Sequence, residues 1–168
     1  MPSDIVWEQY DIFFAAGGHA CLIDYPDAKG LQGIGAKFYD AGGIVSAVCH
    51  GPAILPGIID PKTGKSIIAG KKVTGFTTKG EEEKGVLEAI KSWNRPTIEE
   101  AVASAGATCE ASYFFRPEDL FANHCFPDVS PPDPWGSFAI ADGHIVTGVN
   151  PTSAYATAEE AVKAYKKS

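Results

Sequence analysis

The sequence contains no long apolar run and no basic, apolar leader at its start. None of its uninterrupted apolar stretches approaches the roughly 20 residues that a membrane-spanning helix needs. Residues 1–10 carry acidic side chains and Trp7 rather than the basic and apolar regions of a signal peptide. These absences argue against a membrane partner, and we expect a soluble protein of the cytoplasm, with the nucleus left open.

Positive charge is scarce relative to negative charge. The chain has 14 Lys and Arg residues against 21 Asp and Glu residues, which gives a net charge of -7. A phosphate backbone or an anionic membrane would repel such a protein. We therefore expect no nucleic-acid partner.

Cysteine is also rare and follows no pattern. The four cysteines are widely spaced and include no CxxC pair, which argues against a disulfide framework and against a zinc knuckle. Free thiols in a reducing compartment fit this spacing better. The four are Cys21, Cys49, Cys109 and Cys125.

The composition that remains supports one packed domain. With 168 residues, of which 45% are hydrophobic, the chain can bury a core but is too short for two independent domains. We predict a single domain over residues 1–168.

The first half predicts two strands joined by a crossover helix. An apolar stretch at 10–16 ends in two glycines and is typical of a buried strand. Residues 28–41 have mostly helical spacing before a glycine stop, and the β-branched run 44–49 predicts the second strand. A helix can begin at His50, so strand, turn and helix meet at Cys49.

The second half predicts shorter elements and one long loop. We expect a strand at 72–76, helices at 79–93 and 97–106, a hairpin at 138–149 and a closing helix at 154–165. The closing helix should place Ala, Val and Tyr on its inner face. Between Cys109 and Trp135 the periodicity is lost among prolines and aromatic residues, which predicts a surface loop.

This alternation of strands and helices predicts the fold class. Apolar strands separated by helices are typical of an α/β fold with a largely parallel sheet. In such folds the chemistry lies beyond the carboxyl ends of the strands, where both glycine-rich turns are expected.

Cys49 occupies the predicted turn between strand and helix. A nucleophile on such a turn is held at the sheet edge, close to backbone N–H groups that can stabilise an oxyanion. Small Ala47 and Gly51 leave room for the turn, and the following helix N-terminus would favour the thiolate. On this pattern alone, a buried structural cysteine is an equal alternative.

Several segments around Cys49 resemble one known family. The run 47–53, AVCHGPA, with Gly17-Gly18-His19 and the nearby 24–26, closely resembles the fungal Hsp31-like glutathione-independent glyoxalase III enzymes of the DJ-1/PfpI superfamily. Residues 71–81 and 141–154 also look like that family's segments. The resemblance covers most of residues 10–158, and it implies a flavodoxin-like layered fold with a mostly parallel sheet flanked by helices.

The resemblance implies three catalytic residues. The family's cysteine works with the histidine that follows it and with an acidic residue in the next βα segment, which map onto Cys49, His50 and Glu81. His50 would relay a proton and Glu81 would hold its imidazole in one tautomer. Without the family, Glu81 would be read as a solvated residue at a helix N-terminus.

The resemblance also implies a loop that binds substrate. Gly17, Gly18 and His19 resemble the family's oxyanion loop, with N–H groups near Gly18 and His50 facing the substrate oxygen. A metal site of His19 with Asp24 or Asp27 is a weak alternative, because one histidine and two common turn acids are seldom ligands together. We therefore predict no metal.

The implied reaction converts methylglyoxal to D-lactate without glutathione, and glyoxal would be a second small dicarbonyl substrate. It proceeds by thiolate attack on the aldehyde, proton transfer through an enediolate and hydrolysis of a thioester. No cofactor is implied. A homodimer is left open.

The sequence departs from the family before Tyr10. Family members begin with a strand, a helix and further strands, and that part supplies a glutamate beside the cysteine. No residue here matches the glutamate, so we expect a fold that lacks the first βαβ portion and leaves a sheet edge unpaired. A truncated gene model or a covering partner chain would explain this. The segment 114–133 is also longer than the family's loop.

Two other functions compete with the enzyme. A non-catalytic stress-response holdase would use the apolar surface that the missing portion should expose. In a redox sensor, Cys49 would be oxidised, which is a reaction that exposed thiols of low pKa undergo.

Overall fold

The computed structural model describes residues 2–107, 133 and 135–167, which form one sheet with helices around it. The strands are β1 (Ile12–Ala15), β2 (Ile44–Val48), β3 (Ala139–Asp142) and β4 (Ile145–Gly148). The α-helices are α1 (Cys21–Asp24), α2 (Lys29–Asp40), α3 (Thr78–Glu83), α4 (Leu87–Ser92), α5 (Ile98–Ser104) and α6 (Ala154–Tyr165). Short 3-10 helices include Tyr25–Asp27, Gly51–Gly57 and Pro151–Ser153.

The sheet has the strand order β1-β2-β4-β3. β1, β2 and β4 run parallel, with Ile12 beside Ile44 and Val45 beside Ile145, while β3 pairs antiparallel with β4. The predicted α/β class and the mostly parallel sheet are therefore confirmed. Among the described strands β1 pairs only with β2, and Phe14 on this edge is 40% exposed.

Strand β2 is buried along its whole length because helices cover both faces of the sheet. Val45 lies in the core with Ile34 and Phe38 of α2. Its neighbour Ile44 faces the other way, toward Ala161 of α6. Successive strand residues point to opposite faces, so an apolar run without alternation is what a doubly covered strand requires.

Two predicted elements are wrong. Residues 72–76 are not a strand of the described sheet, because their N–H groups bond elsewhere: Thr74 donates to the side chain of Thr147 (2.8 Å). The helix predicted over 79–93 is divided into α3 and α4 by Gly85, whose φ is +68°. Gly85 and Val86 donate to the carbonyls of Glu82 and Glu81, which is the bonding pattern of a glycine C-cap.

Other predictions about local structure are confirmed. The capping box at Thr97 is present, with Thr97 and Glu100 each accepting from the other's backbone N–H. The predicted hairpin is β3 and β4. In α6 the predicted inward alanine is confirmed at Ala161, whereas the Val and Tyr residues predicted to face inward are exposed and Thr157 is buried.

Some predictions concern residues that the structure does not describe. The predicted loop between Cys109 and Trp135 lies outside the described residues except for positions 133 and 135, as does most of 114–133. Within the part of the chain that is described, no helix combines the length and apolar character needed to cross a membrane. The single-domain boundary at 1–168 stays a prediction.

Candidate active site

Cys49 lies on a sharp turn between β2 and the 3-10 helix Gly51–Gly57. Its φ is +62°, a left-handed conformation that residues with a side chain rarely adopt. Neighbouring backbone fixes this turn, because Cys49 N–H donates to Gly148 O (2.9 Å) and Phe76 N–H donates to Cys49 O (2.8 Å). Such local strain persists where surrounding bonds impose it, and it is typical of functional sites.

Two glycines allow the chain to approach this turn closely. A Cβ at Gly17 would lie 2.6 Å from Cys49 Cβ and 3.2 Å from Cys49 Sγ. A Cβ at Gly51 would collide with Ala15 O. The first glycine therefore brings the loop after β1 against the sulfur, and the second lets the chain turn beside β1.

Cys49, His50 and Glu81 form a continuous line of hydrogen-bonding groups. Cys49 Sγ lies 3.2 Å from His50 Nδ1, and His50 Nε2 lies 2.6 Å from Glu81 Oε1. His50 and Glu81 are only 1% and 2% exposed. Because a carboxylate can only accept hydrogen bonds, Nε2 carries the ring proton. Nδ1 is then free to accept a proton from the sulfur.

Helix α3 places Glu81 in this line. Thr77 caps the helix, since its side chain accepts from the backbone N–H of Gly80. Glu81 lies in the first turn, where a carboxylate is favoured by the positive end of the helix. The alternative interpretation of Glu81 as a solvated residue is wrong, because it is buried against His50.

Burial determines the ionisation of Cys49. The side chain is 7% exposed, and its desolvation raises the pKa of the thiol to about 11. Hydrogen bonds from the backbone N–H groups of His50 and Gly18 act to lower this pKa, while the charge of Glu81 raises it further. The expectation of a thiolate favoured by the helix N-terminus is wrong, because desolvation is the larger effect.

The loop after β1 brings backbone donors to the sulfur. Gly18 has a φ of +126°, which glycine adopts without strain. Its N–H and that of His50 both reach the sulfur of Cys49. They are therefore next to the carbon that the sulfur would attack, where an oxyanion would form.

His19 joins the same group from the other side of Glu81. Its Nε2 lies 3.3 Å from Glu81 Oε2, and its ring centroid lies 4.5 Å from that of His50. The side chain is 46% exposed. The imagined site of His19 with Asp24 or Asp27 gains no support, because Asp27 pairs with Arg95.

Two aromatic residues, which we call the aromatic wall, complete the surroundings. Phe76 stacks on the ring of His50, with centroids 4.8 Å apart, and Trp135 meets Phe76 edge-on at 5.6 Å. Trp135 Nε1–H donates to Glu83 Oε2 (2.7 Å) and fixes the indole. Sequence reasoning assigned neither residue to the site: Phe76 ends the predicted strand 72–76, and Trp135 borders the region where periodicity is lost. Their apolar surface packs against Cys49 and Val48.

The comparisons with known proteins are consistent with this geometry. No protein-family model matches the chain. The protein named glyoxalase 3 in Candida albicans is 46% identical over 164 residues, which are 98% of this chain and 61% of that protein. The glutathione-independent glyoxalase HSP31 of Saccharomyces cerevisiae is 42% identical over 165 residues, which are 98% of this chain and 62% of that protein.

A solved structure shows the same fold. The crystal structure of glyoxalase III from Candida albicans superposes with a TM-score of 0.83 at 46% identity, covering 97% of this chain and 60% of that one. The chain thus spans about three fifths of the length of the curated relatives it matches. Over that length, the chain is similar to the fungal Hsp31-type glutathione-independent glyoxalases and has the DJ-1/PfpI fold of the solved structure.

Proposed function

We propose that the chain carries the catalytic site of a glutathione-independent glyoxalase, with Cys49 as nucleophile and methylglyoxal or glyoxal as substrate. The observation that carries this proposal is the line Cys49–His50–Glu81, with separations of 3.2 Å and 2.6 Å. The names of the relatives supply the reaction class, since they are glutathione-independent glyoxalases.

The first step is attack of sulfur on the aldehyde carbon of methylglyoxal. The thiol is protonated at neutral pH, so its proton must leave as the carbon–sulfur bond forms. His50 Nδ1, 3.2 Å from the sulfur, takes this proton as general base. The N–H groups of Gly18 and His50 stabilise the oxygen that becomes negative. His50 then returns the proton to this oxygen, so the product is a neutral hemithioacetal and Nδ1 is again free to accept a proton.

The second step is an internal oxidation and reduction. The hydrogen on the former aldehyde carbon leaves as a proton to His50, and an enediolate forms. Reprotonation at the neighbouring carbon gives the lactoyl thioester of Cys49. The first carbon is oxidised and the second is reduced by the same electron pair, so the balance needs no external oxidant or reductant. Water then cleaves the thioester, which releases lactate and restores the thiol.

Glu81 acts on this sequence through His50. Its carboxylate accepts a hydrogen bond from Nε2–H and stabilises the positive charge that the ring acquires when Nδ1 is protonated. The role is that of a positioning residue, because the carboxylate reaches the imidazole and not the sulfur.

The surroundings favour a small, neutral dicarbonyl. The aromatic wall borders Cys49 with apolar surface. A charged substrate would lose hydration against this apolar surface, whereas a compact uncharged aldehyde loses little.

The same burial disfavours the redox sensor. Thiols that sense peroxide have a low pKa and are exposed, whereas Cys49 is buried and its pKa is raised to about 11. The holdase remains a prediction that no contact of the described residues favours.

The test is lactate formation from methylglyoxal without glutathione. The Cys49→Ser variant should lose lactate formation because a serine hydroxyl is far less nucleophilic. Cys21→Ser is the matched control, since Cys21 is a second buried free thiol, and its Sγ donates to Ala16 O. Full activity in Cys49→Ser, or equal loss in both variants, would refute Cys49 as the nucleophile.

A further inference from the structure

Three side chains of types that can ligate a metal lie close together beside Cys49. One ligand atom from each of His19, His50 and Glu81 lies within 4.8 Å of the others. Glu81 offers one oxygen to each imidazole, at 3.3 Å from His19 Nε2 and 2.6 Å from His50 Nε2. Two of the three are buried, while His19 is half-exposed and gives access from solvent.

We propose that His19, His50 and Glu81 form an inhibitory Zn²⁺ site, whose effect on activity rests on the proposed function. Two imidazole nitrogens and one carboxylate oxygen are ligands that suit zinc, whereas magnesium and calcium prefer all-oxygen sites. Three protein ligands leave a fourth tetrahedral position for water.

The present distances are close to those that the metal requires. Zinc–ligand bonds of about 2.0–2.2 Å place neighbouring tetrahedral ligands about 3.3–3.6 Å apart. His19 Nε2 already has this separation from Glu81 Oε2, the oxygen that would bind the metal, at 3.3 Å. The 2.6 Å contact of the other oxygen, Oε1, with His50 Nε2 must open as the ring proton moves to Nδ1. His19 has room to adjust because its side chain is half in solvent.

Metal at this point would block His50 as a base. Zinc on Nε2 requires the one proton of the neutral imidazole to move to Nδ1, so binding exchanges one ring tautomer for the other. Nδ1 faces Cys49 Sγ and could no longer accept the thiol proton. The sulfur itself is not a ligand in this arrangement, because it lies at the opposite edge of the ring.

Calorimetric titration of the full chain with ZnCl₂ at neutral pH tests the site without reference to activity. We expect saturable binding of one Zn²⁺ per chain. MgCl₂ should give no saturable heat. Absence of saturable zinc binding would overturn the proposal.

Three variants identify the ligands. His19→Gln should weaken zinc binding at least about tenfold, because even residues that only support ligands have effects of that size. Asp24→Asn and Cys49→Ser should bind as the parent does. Loss of binding in either of those two, or parent-like binding in His19→Gln, would assign the metal to other residues and overturn the site.

The two proposals fail in different ways. A chain that binds zinc through His19 but forms no lactate would keep the metal site and refute the proposed function. A chain that forms lactate without saturable zinc binding would do the reverse. If both hold, sub-saturating zinc should inhibit lactate formation in proportion to the fraction of sites filled, and EDTA should restore it.

Discussion

Glu81 Oε1 lies 2.6 Å from His50 Nε2, although 31 residues separate the two in the chain. Both side chains are almost completely buried. The carboxylate therefore decides which ring nitrogen holds the proton, and it leaves Nδ1 to face Cys49. This contact connects helix α3 to the turn after β2.

Replacement of Glu81 tests that connection. Glu81→Gln keeps the size of the side chain but removes its charge, so the imidazole loses its fixed tautomer and its stabilising partner. We expect the kcat for lactate formation to fall by about 10² to 10⁴. Glu82→Gln, an exposed neighbour in the same helix, is the control and should retain activity. Equal kcat values in the two variants would exclude the role of Glu81.

The raised pKa of Cys49 predicts a distinctive pH dependence. The thiolate fraction, and with it the rate of alkylation by iodoacetamide, should rise about tenfold per pH unit and level off only near pH 11. Cys49→Ser identifies which labelled peptide belongs to this site, and free cysteine shows the ordinary profile. A rate that levels off below pH 8 would mean that the thiol is activated in the resting protein.

Gly17 should tolerate no side chain. In Gly17→Ala the new methyl would lie 2.6 Å from Cys49 Cβ, so the loop or the turn must move. We expect a loss of about 1–3 kcal/mol in the free energy of unfolding and reduced lactate formation. Gly33→Ala is the matched control, because the exposed α2 position has nothing within 4 Å. That variant should gain about 0.5–1 kcal/mol. Urea denaturation measures both.

Two helix caps separate stability from activity. Thr77 caps α3, which carries Glu81, and Thr97 caps α5, which carries none of the site residues. Thr77→Ala and Thr97→Ala should each lose about 1 kcal/mol of stability. Only Thr77→Ala should also lower kcat, because it loosens the helix turn that holds Glu81 against His50. Parallel loss of activity in both would indicate a general effect of destabilisation.

The fold followed from the sequence where burial produces a regular pattern. Both faces of β2 are covered, so its residues 44–48 are mostly apolar without alternation. This pattern predicts a buried strand. The single helix predicted over 79–93 is wrong because Gly85 adopts a left-handed cap, which the helical spacing on either side of it does not reveal. At 72–76 the apolar residues are buried, yet the backbone bonds are made to a threonine side chain and to the Cys49 turn.

The site was only partly predictable. The elbow at Cys49 was visible from local spacing, but Glu81 came from the family resemblance, since nothing local distinguishes it from Glu82. His19 was placed in the loop, yet its contact with Glu81 spans 62 residues and left no sequence signal. The ionisation of Cys49 depends on how completely the aromatic wall and β2 exclude water, which is a property of packing and not of any motif.

The aromatic wall has a consequence for how long the protein can work. Peroxide attacks thiolates, and a sulfur that stays protonated between encounters with substrate offers it little to attack. Under the proposed function, the thiol would ionise only while an aldehyde is in position to bond to the sulfur. By burying Cys49, Phe76 and Trp135 would thus protect it from oxidation between catalytic cycles and lengthen the working lifetime of each molecule.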